Sequence, residues 1–512
     1  MRETVAVFDF GSQTAQLIAR RIRELGVYCE IVRHDISADD LRVFNPTAVV
    51  LSGGPSSVLE AGHPSMDADI ITLNIPILGI CYGMQLLARL LEGQVEKGKQ
   101  GEYGPAQIEI LHEGGIFDGL GSRLDVWMSH GDHVATPPTG FEILARTASC
   151  SVAAMGNPLR KIYGVQFHPE VVHTPRGAEL LRNFLYNIAR CRGGWTMEKF
   201  IEESVASIRK RVKESRVICA LSGGVDSSVV AVLLDRAVGK QMKAVFVDNG
   251  LLRANEVEEI RSLFSEDYSM DVTIVDASGR FLRALKGVID PEEKRKIIGE
   301  TFIDVFRAET VHMEKAEFLA QGTLYPDVIE SQSAHGGPSS TIKSHHNVGG
   351  LPKDLDFELI EPLRELFKDE VRRLGKELGL PQRLLLRQPF PGPGLAVRII
   401  GEVTEENLVT LRHADTIVQE EMEKYERYED IWQSFAVLLP VKSVGVMGDE
   451  RTYAQVVALR IVSSTDGMTA DWVKLPHELL GRISSRIINE VKGVNRVCYD
   501  ISSKPPGTIE WE

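Results

Sequence analysis

The sequence predicts a multidomain α/β protein, and three observations carry that reading. At 512 residues the chain is too long for one hydrophobic core, and about 150 residues per domain points to about three domains. Short β-branched runs alternate with stretches whose apolar residues recur at helical spacing, the pattern of parallel sheets covered by helices. Twice, around residues 75–91 and 217–238, an apolar run passes through a glycine-bearing turn straight into a helical stretch. In open sheets of this kind, ligands bind beyond the carboxyl ends of the strands.

The first segment, 1–194, has strand candidates at Val5–Phe8, Ala48–Leu51 and Ile75–Ile80, with helical spacing over Thr14–Leu25 and Glu179–Ala189. The second, 195–387, opens on a helical Met197–Val212 and has buried-strand runs at Val217–Leu221, Ala244–Val247 and Val272–Val275. Within it, Ser331–Ser340 is polar and glycine-bearing and reads as a loop. The third, 388–512, follows the breaker-rich RQPFPGPGLAVR. It has strand-like Phe435–Pro440, Val456–Val462 and Val497–Ile501 and helical Glu405–Tyr425 and Glu478–Val491, an α+β module.

The net charge of −14 argues against a general nucleic-acid binder, which carries a basic field. Six scattered cysteines with no CxxC pair disfavour a zinc ribbon or a disulfide framework and point to a reducing, cytoplasmic setting. MRETVAVFDFG enters a strand without a signal-peptide pattern, and no apolar run reaches the roughly 20 residues of a membrane span.

In Ile75–Gln85, IPILGICYGMQ, a strand runs into Gly-x-Cys-x-Gly and then a helix. This is the thiol counterpart of a nucleophile elbow: a tight turn lifts Cys81 off the sheet at a helix N-terminus, where the dipole favours thiolate. The N–H of Tyr82 and the SGGP loop, with Gly53 and Gly54, are candidate oxyanion donors. IYGVQFHPE supplies His168 and Glu170 two residues apart, so an extended backbone projects both to one side: a base and the group that orients it. A lone buried cysteine is ordinarily inert; the elbow and HPE together point to catalysis. On these motifs residues 1–191 resemble a class I glutamine amidotransferase. The resemblance implies that Cys81 attacks the glutamine amide, releasing ammonia and, after hydrolysis of a thioester, glutamate. The SHGD stretch Ser129–Asp132 fits that family and equally fits a turn.

Val217–Ser228 ends in LSGGVDSS. The N–H groups of Gly223, Gly224 and Val225 can form an anion nest at a helix start, with hydroxyls from Ser222, Ser227 and Ser228. Asp226 would repel bare phosphate but suits a magnesium ion, and the absent lysine argues against a Walker loop. SGGxDS resembles the loop of the N-type ATP pyrophosphatases, which implies a doubly wound parallel sheet and a loop holding the pyrophosphate released as ATP gives up AMP. Asp248 ends a strand of that sheet and is either near adenosine or a turn residue.

QGTLYPDVIE, TIKSHHNVGG, RQPFPGPGLAVR and the C-terminal SKPPGTIEWE together resemble the glutamine-hydrolysing GMP synthetases along the whole chain. That resemblance implies adenylation of xanthosine monophosphate (XMP) by ATP and amination at C2, giving GMP, AMP and pyrophosphate. It places Asp327, Glu330, Lys343, His345 and His346 in a lid over the adenylation site, although each taken alone reads as a solvated loop side chain. It places Arg387, Gln433, Lys504 and Glu510 at XMP and implies a homodimer through the third segment. The runner-up is an amidating ligase of the same ATP class acting on another acceptor, as NAD synthetase does.

Overall fold

The computed structural model describes residues 2–12, 14–311, 316–333, 357–447, 450–464, 467 and 469–512. Lys343, His345 and His346 lie outside them, as does most of Ser331–Ser340. The chain forms two units, one built on Met1–Phe200 with the described part of Ile329–Ser344 and the other on Ile201–Val328 with the described part of His345–Glu512.

In the first unit the strands are β1 (Val5–Asp9), β2 (Cys29–Arg33), β3 (Ala48–Leu51), β4 (Ile77–Ile80), β5 (Gln94–Ile110), β6 (Arg123–Thr136), β7 (Glu142–Arg146), β8 (Ala154–Asn157) and β9 (Ile162–Val165). They form one sheet in the order β2-β1-β3-β4-β9-β8-β7-β5-β6. The side from β2 to β9 is parallel, as the alternation of strand and helix patterns predicts. Beyond β9 every pairing is antiparallel. The long β5–β6 ribbon has no counterpart among the sequence-based elements, because its residues alternate in and out instead of forming apolar runs. β3, β4 and β9 are buried end to end, and Ala6, Phe8, Val49, Leu51 and Ile77 pack with Met84, Leu86 and Leu87 of the helix Tyr82–Leu90. The helix expected over Glu179–Ala189 runs from Gly177 to Arg182 and continues as a wider π-helical turn over Asn183–Ile188.

The second unit carries β10 (Arg216–Leu221), β11 (Met242–Asp248), β12 (Val272–Asp276), β13 (Ala316–Ala320) and β14 (Glu358–Ile360). All pairings are parallel, in the order β12-β11-β10-β13-β14. The order reverses at β10, the switch point beyond whose strand ends open sheets of this kind bind ligands. The same unit contains β15 (Gln433–Met447), β16 (Glu450–Ser463), β17 (Asp471–Trp472) and β18 (Val494–Tyr499), with helices Glu405–Glu423 and His477–Glu490. One apolar core runs from Ile218 and Val245 of the parallel sheet through Leu395, Ala396 and Ile399 to Leu411 and Ile483.

The C-terminal tail is tied into this unit by buried cations. Arg460 donates to the carbonyls of Ser502 at 2.6 Å and Thr508 at 2.8 Å. Lys294, fully buried, donates to Glu512 Oε2 at 2.5 Å and to the Ile399 carbonyl at 2.8 Å. Among the described residues no helix is long and apolar enough to cross a membrane.

Candidate active site

In the first unit, β4 ends at Ile80 and the helix begins at Tyr82, leaving Cys81 alone to make the turn. Its backbone sits at φ +52°, ψ −105°, a region side-chain-bearing residues rarely occupy, at a cost of about 1–3 kcal/mol. The flanking glycines are required by crowding. A Cβ on Gly83 would lie 2.5 Å from the Leu51 carbonyl oxygen, and one on Gly79 would lie 2.7 Å from the Gly83 carbonyl. Backbone bonds hold the turn from two sides, Cys81 N to Val165 O at 2.8 Å and Gly83 N to Ser52 O at 3.1 Å.

Cys81 is 6% exposed, and its Cβ and the His168 ring border the same space beside Gly53. Nδ1 of His168 is 2.7 Å from Glu170 Oε1, and Glu170 is fully buried. The sulfur also lies 3.6 Å from the Ser129 carbonyl, which accepts from it, and 3.6 Å from Gln166 Nε2, which donates to it. Gly53 borders both partners: a Cβ there would meet the His168 ring at 3.2 Å and Cys81 Cβ at 4.0 Å. One at Gly54 would meet the Tyr82 ring at 3.3 Å. Thr174 locks the HPE turn by donating to the His168 carbonyl at 2.7 Å while accepting from Trp127 N at 3.1 Å. Gly177 is needed because a Cβ would strike the Pro169 carbonyl at 1.9 Å. Sequence reasoning missed Gln166 and Thr174; Gln166, a fully buried amide two residues before His168, was the available signal. Ser129–Asp132 lies within β6, not in a turn, and offers a main-chain carbonyl to the sulfur.

The His168 imidazole is raised to about 10. Burial is the largest single influence and pushes downward, but hydrogen bonding and charge at Cys81 and Glu170 together outweigh it. The arrangement can therefore hold a proton beside the sulfur and deliver it to a leaving amine.

In the second unit the loop after β10 turns through Gly223 at φ +75° into the helix Val225–Val238, capped by Gly224. Ser228 Oγ donates to the Gly224 carbonyl at 2.8 Å and Ser227 Oγ does so at 3.1 Å, so in this structure both hydroxyls brace the loop. Ser222 Oγ and Ser227 Oγ are 3.0 Å apart. The cation missing from the loop itself comes from 142 residues further on: Lys368 Nζ donates to Asp226 Oδ1 at 2.6 Å and Oδ2 at 2.5 Å. Lys368 opens the helix Lys368–Glu377, and nothing in its local sequence marks it.

Arg387 donates to the Gly223 carbonyl at 2.9 Å and pairs with the buried Glu256 at 2.7 Å, which puts it on the loop. Burial raises the Glu256 carboxyl, and Arg387 and Arg253 counter the rise. Asp248 Oδ1 accepts from Gly250 N at 2.9 Å, a turn contact at the end of β11. Asp327 Oδ2 accepts from Leu324 N at 3.0 Å at the start of the helix Tyr325–Ser333, and Glu330 lies on that helix.

Gln433 and Glu510 are brought together, with Gln433 Nε2 at 3.2 Å from Glu510 Oε1. Between them and the core stands Arg398, unmarked in the sequence reading. It is fully buried, forks onto both Glu510 oxygens at 2.9 and 3.1 Å and lies 3.9 Å over the Phe435 ring. Lys504 Nζ donates to the Gly467 carbonyl at 2.9 Å.

Residues 6–188 match the family "glutamine amidotransferase class-I", 196–304 match "NAD synthase" and 420–511 match "GMP synthase C terminal domain". The protein is thus of the class that joins a glutamine amidotransferase to a NAD-synthase-like ATP pyrophosphatase domain. It is similar along its length to proteins named GMP synthase [glutamine-hydrolyzing]. The one from Caldanaerobacter subterraneus subsp. tengcongensis is 57% identical over 511 residues, covering 100% of this chain and 99% of the relative. That of Nitratidesulfovibrio vulgaris is 57% identical over 510 residues, 99% of each chain, and that of Clostridium tetani 54% identical over 511 residues, 100% of each. The chain belongs to the glutamine-hydrolysing GMP synthase family.

The raised His168 value carries a stability prediction. Its folded-state value lies above the ordinary 6.5, so its contribution is complete below pH 6.5 and is lost as pH rises through about 10. The Tm advantage of the native chain over His168→Gln should shrink across that window; a gap independent of pH would contradict the geometry.

Proposed function

We propose that the chain makes GMP from XMP, with glutamine as nitrogen donor and ATP as the activating co-substrate. The observation that carries this is the full-length identity to glutamine-hydrolysing GMP synthases, which spans both centres. The proposed domain division is 1–194 for glutaminase, 195–387 for nucleotide activation and 388–512 for XMP binding and dimerisation. No membrane or nucleic-acid partner enters the proposal, and the setting is cytoplasmic.

In the first centre, the Cys81 sulfur attacks the glutamine side-chain carbonyl. Tyr82 and the Gly53–Gly54 loop face the oxyanion. The C–N bond breaks as His168 protonates the departing ammonia, leaving a thioester on Cys81. Glu170 keeps the ring oriented. Water then releases glutamate.

In the second centre, Ser222–Ser228 hold the β and γ phosphates at the helix N-terminus. XMP O2 attacks the α-phosphorus, and pyrophosphate leaves. Ammonia then displaces AMP at C2. Magnesium fits here: it commonly takes one or two carboxylates and completes its shell with phosphate oxygens and water, and Asp226 supplies one carboxylate. When bound it neutralises phosphate charge. Lys368, now paired with Asp226, has the same loop within reach and is assigned to the phosphates with it. Arg387 holds the Gly223 turn in shape. Arg387, Gln433, Glu510 and Lys504 are the candidate XMP contacts, with Arg398 fixing Glu510. Asp327, Glu330, Lys343, His345 and His346 are the candidate lid.

Dimerisation is assigned to the β15–β16 ribbon. Val444 and Tyr453 are cross-strand partners, and Val446 is two residues along β15. The three are 46%, 60% and 76% exposed and share one face, an apolar patch that a second copy would cover.

Incubation with glutamine, ATP, magnesium and XMP should give GMP, AMP and pyrophosphate in equal amounts; ADP and phosphate would refute the scheme. Cys81→Ala should lose glutamine-dependent synthesis while keeping synthesis from added ammonium; folded protein lacking both would refute the division. Lys368→Ala should lower kcat/KM for ATP roughly tenfold to hundredfold, the loss of a charged hydrogen bond to phosphate, and leave glutamine hydrolysis by Cys81 intact. Val446→Lys should halve the mass seen by sedimentation; a native chain that is already monomeric would remove the dimer assignment.

A further inference from the structure

Away from the proposed catalytic groups, three side chains of the first unit converge in the antiparallel half of its sheet. Glu102 of β5, His130 of β6 and Cys150 of the β7–β8 connection bring one ligand atom each within 4.8 Å of one another. His130 and Cys150 are buried, and Glu102 retains 18% side-chain exposure.

The hydrogen bonds decide which atoms face the cluster. His130 Nδ1 is 3.1 Å from the Asp132 carbonyl. A carbonyl only accepts, so Nδ1 carries a proton, and in the neutral ring Nε2 presents a lone pair. That lone pair points at Glu102 Oε2, 3.4 Å away, and neither atom has a hydrogen-bond partner although both are fully shielded from solvent. The other carboxylate oxygen, Oε1, is turned away by donors from Thr147 Oγ1 at 3.2 Å and Ser149 Oγ at 2.9 Å. Thr147 also accepts from Cys150 N at 2.8 Å, which fixes the cysteine backbone in the group. The cluster is therefore a buried concentration of lone pairs with nothing positive between them.

We propose that Glu102, His130 and Cys150 bind a zinc-like divalent cation, with water in the fourth position. The donor set of nitrogen, sulfur and carboxylate oxygen is that of zinc, whose tetrahedral bonds of about 2.0–2.3 Å put ligand atoms roughly 3.4–3.7 Å apart. The Glu102–His130 spacing of 3.4 Å already meets that distance, and the sulfur lies within 4.8 Å of both, up to about 1 Å beyond it. A metal-ligating histidine ordinarily donates its other N–H to a carbonyl or carboxylate, as His130 does here. On binding, the Cys150 thiol loses its proton to solvent and becomes the thiolate ligand. The exposed flank of Glu102 is the way in. The bound ion would pin β5, β6 and the β7–β8 connection together, one residue from the Ser129 carbonyl that touches Cys81.

Cobalt(II) is the test, because thiolate ligation gives it an intense absorption band. Metal-stripped full-length protein should take up one cobalt per chain, show that band and lose it when zinc is added. The band should persist in Cys81→Ala and vanish in Cys150→Ser and in His130→Gln, each checked for a native melting transition. No band in the native chain overturns the proposal. So does a band that survives in folded Cys150→Ser, or one that disappears in Cys81→Ala, which would place the ion on the nucleophile instead.

Discussion

The geometry of the first centre depends on how closely β3, β4 and the helix after β4 are pressed together. Leu51, at the end of β3, leaves no room for a side chain on Gly83, and Gly83 leaves none on Gly79. With both neighbours reduced to backbone, the turn closes in one residue, and that residue is driven to positive φ. The strain is carried by Cys81 because the packed sheet on either side over-determines it. The sulfur is thereby projected from the carboxyl edge of the sheet at a helix start. The partners that reach it come from β6 and from the strand and turn around β9, so the antiparallel half of the sheet completes a centre that the parallel half began.

The second unit uses charge where the first uses crowding. Its loop wraps one helix N-terminus, and positive groups are brought to it from elsewhere: Lys368 to Asp226, Arg387 to the Gly223 carbonyl. Further along, Lys294, Arg398 and Arg460 are fully buried, and each is paired with the C-terminal tail. Burying a cation is tolerable only with such partners, and removing one partner of a buried pair commonly costs about 3–5 kcal/mol. Residues 500–512 are thus the counter-charge and carbonyl supply for three interior cations, which is why a polar, proline-bearing tail is ordered against the core.

That interior charge also separates what a motif can say from what it cannot. Glu510 was singled out as a candidate nucleotide contact, and the structure places it beside Gln433. Its carboxylate is at the same time the partner of Arg398. Arg387, a candidate contact for the XMP phosphate, donates to the Gly223 carbonyl and pairs with Glu256. Asp248 and Asp327 accept main-chain N–H groups at a strand end and a helix start.

From sequence alone one could not read β2, β9, β13 or β14, but one could read β1, β3, β4, β10, β11 and β12 among the parallel strands, helices that follow them, the elbow at Cys81, the His168–Glu170 pair and the Ser222–Ser228 loop. Each is a local pattern: an apolar run, a 3.6-residue period, or polar residues at fixed short offsets on one backbone conformation. Tertiary structure alone decided the rest, because those contacts join residues far apart in the chain. Lys368 reaches Asp226 across 142 residues and Gln166 reaches Cys81 across 85. The β5–β6 ribbon, whose alternating pattern hides His130 among inward-facing apolar residues, brings that histidine to Glu102 and Cys150. No spacing rule encodes such meetings; they follow from which strand edges pair and which buried charges must then find a partner.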